Sequence, residues 1–193
     1  GAVLSESVPL PVTGLFLAAC LLSRRSCEYA GTRFKTRGVN DAGGAANFVE
    51  TEQLLLLRRD GNGAVVSLVQ TRGSCPLFWE QRGKTVNPKP KLSRAMELTL
   101  PALRRHLQRQ RDAYGEPLLL SLLDHKGDEA ELAAAFTQSV QRLGTAAADN
   151  PEPLVAKLVA FDFHAQCKPS RADGIASLMA LLGAEPQMAD YSL

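Results

Sequence analysis

Along the first 72 residues the apolar positions come in short blocks without a helical period. Residues 15–22 (LFLAACLL) form a continuous apolar run of strand length, the pattern of a buried strand, although period alone does not separate it from a helix. Residues 46–57 (ANFVETEQLLLL) open with polar interruptions and close on four leucines. Asp60-Gly61-Asn62-Gly63 then offers residues that accept positive φ, and residues 64–70 (AVVSLVQ) return as a β-branched strand, so a hairpin is predicted here. Residues 82–93 (RGKTVNPKPKLS) carry two prolines and four basic residues and predict an exposed, extended loop.

The rhythm changes near residue 99. Thr99 followed by Pro101 reads as a helix start, and the helix stops at Gly115, with Leu100, Leu103 and Leu107 on one face and arginines on the other. Residues 117–123 (PLLLSLL) predict a buried strand, and Asp128 opens a second helix that ends at Gly144. Residues 154–163 (LVAKLVAFDF) predict the next strand and residues 172–182 the next helix. This order predicts an α/β fold with a mixed sheet: a β-hairpin region first, then βαβ crossovers with strands covered on both faces.

Composition adds a charge asymmetry. The 193 residues carry a net charge of +2, but residues 1–111 hold 17 Lys/Arg against 8 Asp/Glu, whereas residues 112–193 hold 5 against 12. Either the first half meets an anion, or complementary surfaces of the two halves pack together. Four cysteines without a Cys-x-x-Cys pair or a nearby histidine at ligand spacing indicate neither zinc nor a disulfide framework, and a reducing cytosolic setting fits. No run approaches the roughly 18 apolar residues of a membrane-spanning helix. The run GLFLAAC (residues 14–20) imitates a signal-peptide core, yet only Glu6 is charged upstream of it, so the basic leader region is missing. The first residue is Gly rather than Met, as expected for a piece of something longer.

Four stretches are richer in polar and aromatic detail than a fold requires. In CEYAGTRFKTRGVND (residues 27–41), Arg33, Lys35 and Arg37 alternate. An extended chain would place these cations on one face, to meet phosphate or to protect an exposed strand edge. Cys27 and Arg33 also match the Cys-x5-Arg spacing of cysteine-dependent phosphatases, but Phe34 follows where such loops have Thr or Ser. In ANFVETEQ (residues 46–53), Glu50 and Glu52 share a strand face with Phe48, and either orient those cations or are plain surface charges. QTRGSCPLFWEQ (residues 70–81) brings Arg72 and the single tryptophan, with Phe78 and Trp79 as core or lid aromatics. In FDFH (residues 161–164), Asp162 and His164 would share one face at a strand's carboxyl end, where open α/β sheets bind ligands. There they would hold a site loop or make a structural hydrogen bond.

Together these stretches resemble the Sac phosphoinositide phosphatase family. SRRSCEYAGTRFKTRGVND (residues 23–41) is similar to the family's S-R-x-S-x-x-x-A-G-T-R-[YF]-x-x-R-G-x-N-D segment, and ANFVETEQ is similar to A-N-[FDY]-V-E-T-E-Q. VQTRGSCPLFWEQ (residues 69–81) resembles V-Q-x-R-G-S-[IV]-P-[LV]-F-W-x-Q with Cys75 at the aliphatic position, and YGEPLLLSLL and AFDFH follow in order. The resemblance covers about residues 22–168.

The resemblance implies an α/β catalytic domain preceded by a mostly β subdomain. It implies hydrolysis of phosphate monoesters on the inositol ring of membrane phosphoinositides, without metal or other cofactor. The family chemistry uses a cysteine thiolate in a C-x-x-C-L-D-R-T-N motif several tens of residues beyond the FDFH-type stretch, and the 193 residues contain no such motif. A thiolate at a helix N-terminus has a depressed pKa, and the same backbone N–H groups cradle the phosphate. The chain is thus expected to be a single partial Sac domain, with a strand-rich basic part at 22–98 and an alternating part at 99–193, and to be inactive alone. No residue of it is a catalytic candidate. Arg33, Lys35, Arg37 and Arg72 are the candidate substrate contacts; Asn47, Glu50, Glu52, Gln53, Trp79, Asp162 and His164 are the candidate supporting residues. The expected partners are phosphoinositide lipids and not nucleic acid, at a cytoplasmic, peripheral location on endomembranes. The alternative is a catalytically dead phosphoinositide-binding or scaffold module.

Overall fold

The apolar blocks of the first half pair into one antiparallel sheet, ordered β1-β2-β3-β4. The structure is a computed structural model that describes residues 2–9, 15–31, 36–59, 62–83, 88–145, 152–167 and 173–184. The sheet comprises β1 (Ala2–Pro9), β2 (Leu15–Arg25), β3 (Val49–Arg59) and β4 (Asn62–Arg72). The predicted hairpin is β3–β4, whose register pairs Arg59 with Asn62; Asp60 and Gly61 lie outside the described residues. The β2–β3 register pairs Arg24 with Glu50 and Arg25 with Val49, so the polar ends of both strands meet at one edge. Residues 15–22 are a strand as expected, but not a buried one along its described part. Leu21, Leu56 and Val65 are exposed, because none of the helices packs extensively on this sheet.

The second half supplies the core. Helix α1 (Met96–Tyr114) buries Thr99, Ala102, Leu103 and Leu107, positions that recur at the spacing of one helical face. Helix α2 (Ala130–Gly144) buries Leu132, Phe136, Ser139, Val140 and Leu143 in the same way. The two faces close around Leu77, Trp79 and Leu154. Between the helices, β7 (Leu118–Ser121) runs parallel to β8 (Lys157–Ala160), with α2 as the crossover, which is the predicted βαβ unit. A smaller pair, β5 (Trp79–Glu80) with β6 (Lys91–Leu92), ties the tryptophan segment to the entrance of α1.

Several local expectations are corrected. Helix α1 begins at Met96, and Thr99 lies inside it, its hydroxyl donating to the Ala95 carbonyl. Pro101 follows within the helix, removing one N–H from the ladder while α1 continues to its stop at Gly115 (φ 86). Residues 82–93 are not wholly loop, since Lys91–Leu92 pairs with Trp79–Glu80. The strand predicted over residues 154–163 is only Lys157–Ala160, because Asp162 stops it by capping a short turn, α3 (Phe163–Gln166). Its Oδ1 accepts from the Ala165 N–H at 2.8 Å, the geometry of an N-cap. Asp162 and His164 therefore do not share a strand face. The parallel pair is not covered on both faces either, because Leu120 and Leu122 are exposed. The last helix, α4 (Gly174–Gly183), leaves Ile175 and Met179 exposed.

Candidate functional site

The polar ends of β2 and β3 face the loop of residues 38–46 and one side of α1, and a cleft of about 220 Å³ opens between them. Its wall is made by Arg24, Arg25, Ser26, Glu28, Phe48 and Glu50 from the sheet side, Gly43–Ala45 from the loop, and His106, Arg109 and Gln110 from α1. Antiparallel register brings Arg24 beside Glu50, and its guanidinium bridges Glu50 at 2.7 Å and Glu52 at 3.1 Å. Arg109 reaches across to Glu28 at 2.5 Å. One turn further along α1, the Tyr114 hydroxyl donates to the second Glu50 oxygen. That bond, with Arg24 behind it, holds the Glu50 carboxyl below the usual carboxylate range. It also pushes the Tyr114 pKa up to about 12.

The loop approaches α1 closely because Gly43 has φ +85 and no side chain; a Cβ there would lie 2.8 Å from the backbone nitrogen of His106. This approach sets the Gly43 carbonyl 2.9 Å from His106 Nδ1. A carbonyl only accepts, so Nδ1 carries the proton and Nε2 of the neutral ring is unprotonated. The Phe48 ring meets the imidazole edge-on at 6.0 Å. Burial, with the Arg109 charge adding to it, holds His106 below its ordinary pKa of 6.5 against the opposing pull of the Gly43 bond. The folded state thus binds fewer protons than the unfolded chain in this range, and stability rises with pH. This contribution is complete above the unfolded value and is lost as pH falls through the folded one. Melting midpoints are expected to drop between about pH 7.5 and 5, and to drop less in His106→Gln, which keeps a donor for Gly43. Parallel curves for the two proteins would contradict this.

Of the candidate substrate contacts, Arg33 and Lys35 lie outside the described residues. Arg37 is half-buried, with its guanidinium 5.4 Å from the centre of the Trp79 ring, a cation–π contact. Arg72 is exposed at the end of β4, opposite Val49. Among the supporting candidates, Asn47 adopts φ 55, receives the Arg25 guanidinium at 2.6 Å and donates to the Thr36 carbonyl at 3.1 Å. Through these bonds it ties the end of β2 to the chain entering Arg37. Glu50 and Glu52 do orient a cation, but it is Arg24; Phe48 precedes β3 and lies against His106. Gln53 sits mid-strand between Leu21 and Leu68. Trp79 is in the core, donating its indole N–H to the Cys75 carbonyl at 3.0 Å.

Asp162 and His164 form a separate group at the carboxyl ends of β7 and β8. Asp162 accepts from the backbone N–H of Ala165 and of His125, which hold its carboxyl below the usual range. His164 Nδ1 lies 2.7 Å from Asp124 Oδ1, and that contact raises the imidazole pKa. Cys27 is exposed in the turn after β2, whereas burial pushes the Cys75 thiol far up. Among the described residues no group of His, Cys, Asp or Glu is arranged to hold a metal ion.

Sequence reasoning assigned no role to Arg24, Arg25, Glu28, His106, Arg109, Gln110 or Tyr114. A signal was present on α1: positions 106, 109, 110 and 114 follow helical spacing and form one polar stripe beside the leucine face.

The residues at this cleft belong to the stretches that a known sequence profile contains. The profile of the SacI homology domain matches residues 10–168. The chain belongs to the SacI homology domain family. Synaptojanin-1 of Mus musculus is 43% identical over 162 residues, covering 83% of this chain and 10% of the mouse protein. Phosphatidylinositol-3-phosphatase SAC1-B of Danio rerio is 41% identical over 152 residues, 78% of this chain and 24% of its own length. Synaptojanin of Caenorhabditis elegans is 46% identical over 151 residues, 78% of this chain and 12% of its own. The chain therefore spans a quarter or less of the length of these relatives. The family match begins at residue 10, so the strand after it belongs to the Sac homology region along with the four motif stretches. No helix among the described residues is long and apolar enough to cross a membrane.

Proposed function

We propose that this chain is part of a phosphoinositide phosphatase that hydrolyses phosphate monoesters on the inositol ring of membrane lipids. The observation that carries this reading is the Sac homology match over residues 10–168, together with a relative named as a phosphatidylinositol-3-phosphatase. The chain is a single partial Sac domain, with a basic strand-rich part (22–98) and an alternating part (99–193). Arg33, Lys35, Arg37 and Arg72 bring positive charge toward lipid phosphates. Asn47, Glu50, Glu52, Gln53 and Trp79 keep the basic segment in place, and Asp162 and His164 hold the loops after the parallel strands. The protein works in the cytoplasm, peripherally on endomembranes, where each basic residue near an anionic surface adds about 1 kcal/mol.

The reaction needs a thiolate in a phosphate-cradling loop and an arginine that binds the equatorial oxygens as charge develops. Of the four cysteines only Cys27 has an arginine six residues on, and Phe34 follows that arginine. The 193 residues alone are therefore expected to release no phosphate. Phosphate release from phosphatidylcholine vesicles carrying phosphatidylinositol 4-phosphate tests the reading, with the 193-residue chain and the full open reading frame that contains it. Turnover is expected only from the latter, and unchanged in Cys27→Ser. Vesicle binding without release by the full frame would favour the dead binding module. Release by the short chain, abolished in Cys27→Ser, would move the chemistry to Cys27.

A further inference from the structure

The parallel strands β7 and β8 open at their carboxyl ends into two loops, residues 122–126 and residues 161–166, the second containing α3. Open α/β sheets meet their ligands at such strand ends, so the setting of these loops bears on whatever the sheet end contacts. The loops are joined by two bonds that run in opposite directions. Asp162 of the second loop accepts the His125 N–H of the first at 3.1 Å. Asp124 of the first loop accepts from His164 Nδ1 of the second at 2.7 Å. Asp124 is held in turn by its own N–H, which donates to Glu129 Oε2 at 3.2 Å.

The two bonds differ in how they respond to protons. Asp162 receives a backbone donor, and its carboxyl lies below the usual carboxylate range, so this bond is insensitive to pH near neutrality. The His164 side chain is 79% exposed, so solvent protonates and deprotonates it freely. A carboxylate only accepts, so Nδ1 keeps its proton in both charge states and Nε2 carries the one that titrates. Losing that proton leaves a neutral hydrogen bond in place of a charge-assisted one, and the neutral bond is weaker. The charged groups acting on the imidazole are acidic: Asp124 in contact, then Glu129 at the entrance of α2 and Asp162 on the same loop. The Phe163 ring, edge-on at 6.3 Å, brings no charge, and the His125 charge acts on Asp162.

We propose that Asp124 and His164 form a pH-sensitive latch between the loops after β7 and β8, closed when the imidazole is charged and slackened when it is neutral. The Asp124 bond, with the surrounding acids adding to it, holds the imidazole above its ordinary pKa of 6.5. The latch is therefore complete below that ordinary value and weakens as pH rises through the folded one. It concerns the two loops alone and stands whether or not the protein is a phosphatase.

Imidazole NMR titration and amide exchange between about pH 5.5 and 8.5 test it, on the unmodified protein, Asp124→Asn and His125→Gln. Asparagine keeps an acceptor for the Nδ1 proton and removes the charge. The His164 titration midpoint is expected to be lower in Asp124→Asn than in the unmodified protein. Protection of the residue 125 amide, corrected for the intrinsic rise of exchange with pH, is expected to fall about threefold across that titration. The fall should vanish in Asp124→Asn and persist in His125→Gln. The Ala165 N–H, bonded to Asp162 within its own loop at 2.8 Å, is the reference and should show no such fall. An unchanged midpoint in Asp124→Asn, a flat profile at residue 125 in the unmodified protein, or an equal fall at Ala165 overturns the proposal. Loss of the fall in His125→Gln overturns it too, because the pH dependence would then belong to His125.

Discussion

Leu103→Ala is expected to destabilise the protein by about 3–4 kcal/mol, near the top of the range for a leucine deleted from a closed core. Leu103 has no exposed surface and lies where the leucine face of α1 meets Leu132, Phe136, Val140 and Leu143 of α2 and the Leu77–Trp79 segment. Two helices and a turn of chain fix that space, so little of it collapses when four heavy-atom positions shrink to one. Leu98, on the same helix and 65% exposed, is the control: Leu98→Ala should stay within about 0.5 kcal/mol. Urea unfolding of both variants measures the difference. Similar midpoints for the two would mean that α1 is not anchored through this face.

Gly38→Ala is expected to cost about 3 kcal/mol or more, through strain and collision together. Gly38 has φ +74, and a Cβ there would lie 2.3 Å from the Leu77 carbonyl oxygen. That oxygen cannot move away cheaply, because it accepts the Val39 N–H at 3.0 Å. The glycine is also held from both sides, donating to Ser74 Oγ at 2.8 Å and accepting from the Ala46 N–H at 2.8 Å. Gly115, with φ 86 and nothing within 4 Å of its would-be Cβ, separates the two terms. Gly115, with ψ −163, sits in a region that essentially only glycine adopts, so Gly115→Ala carries backbone strain alone, about 1–3 kcal/mol. Equal losses in the two variants would remove the collision from this account.

Much of the fold was legible because its signals are local. The four leucines before Asp60-Gly61 and the β-branched run after them gave the β3–β4 hairpin, and Gly115 and Gly144 marked the ends of both long helices. Boundaries failed where a side chain intervened. Asp162 converts the expected end of β8 into a capped turn, a choice made by one hydrogen bond that no hydrophobic period reports. The start of α1 was hidden by Pro101, which looks like a first-turn residue and lies in the second.

The site was legible only in part, for a different reason. Period two puts Glu50 and Glu52 on one strand face, and the sequence left open whether they orient the cations of residues 27–41 or are plain surface charges. The cation they meet is Arg24, outside that stretch, brought to them by the register of strands 26 and 28 residues apart in sequence. Arg109 and Glu28 are 81 residues apart, and Tyr114 and Glu50 are 64 apart.

The sequence by itself determined the β3–β4 hairpin, the two long helices and the parallel strand pair, though not β1, β5, β6 or α3, and through its ordered motifs the family to which the chain belongs. Periodicity and turn chemistry act over a few residues, so a single chain displays them in full. Tertiary structure alone decided that the end of β2, the 38–46 loop and the polar stripe of α1 enclose a cleft in which Arg24 pairs with Glu50 and Arg109 with Glu28. That enclosure depends on strand register and on the close approach that Gly43 permits, and both arise only when distant segments are packed against each other.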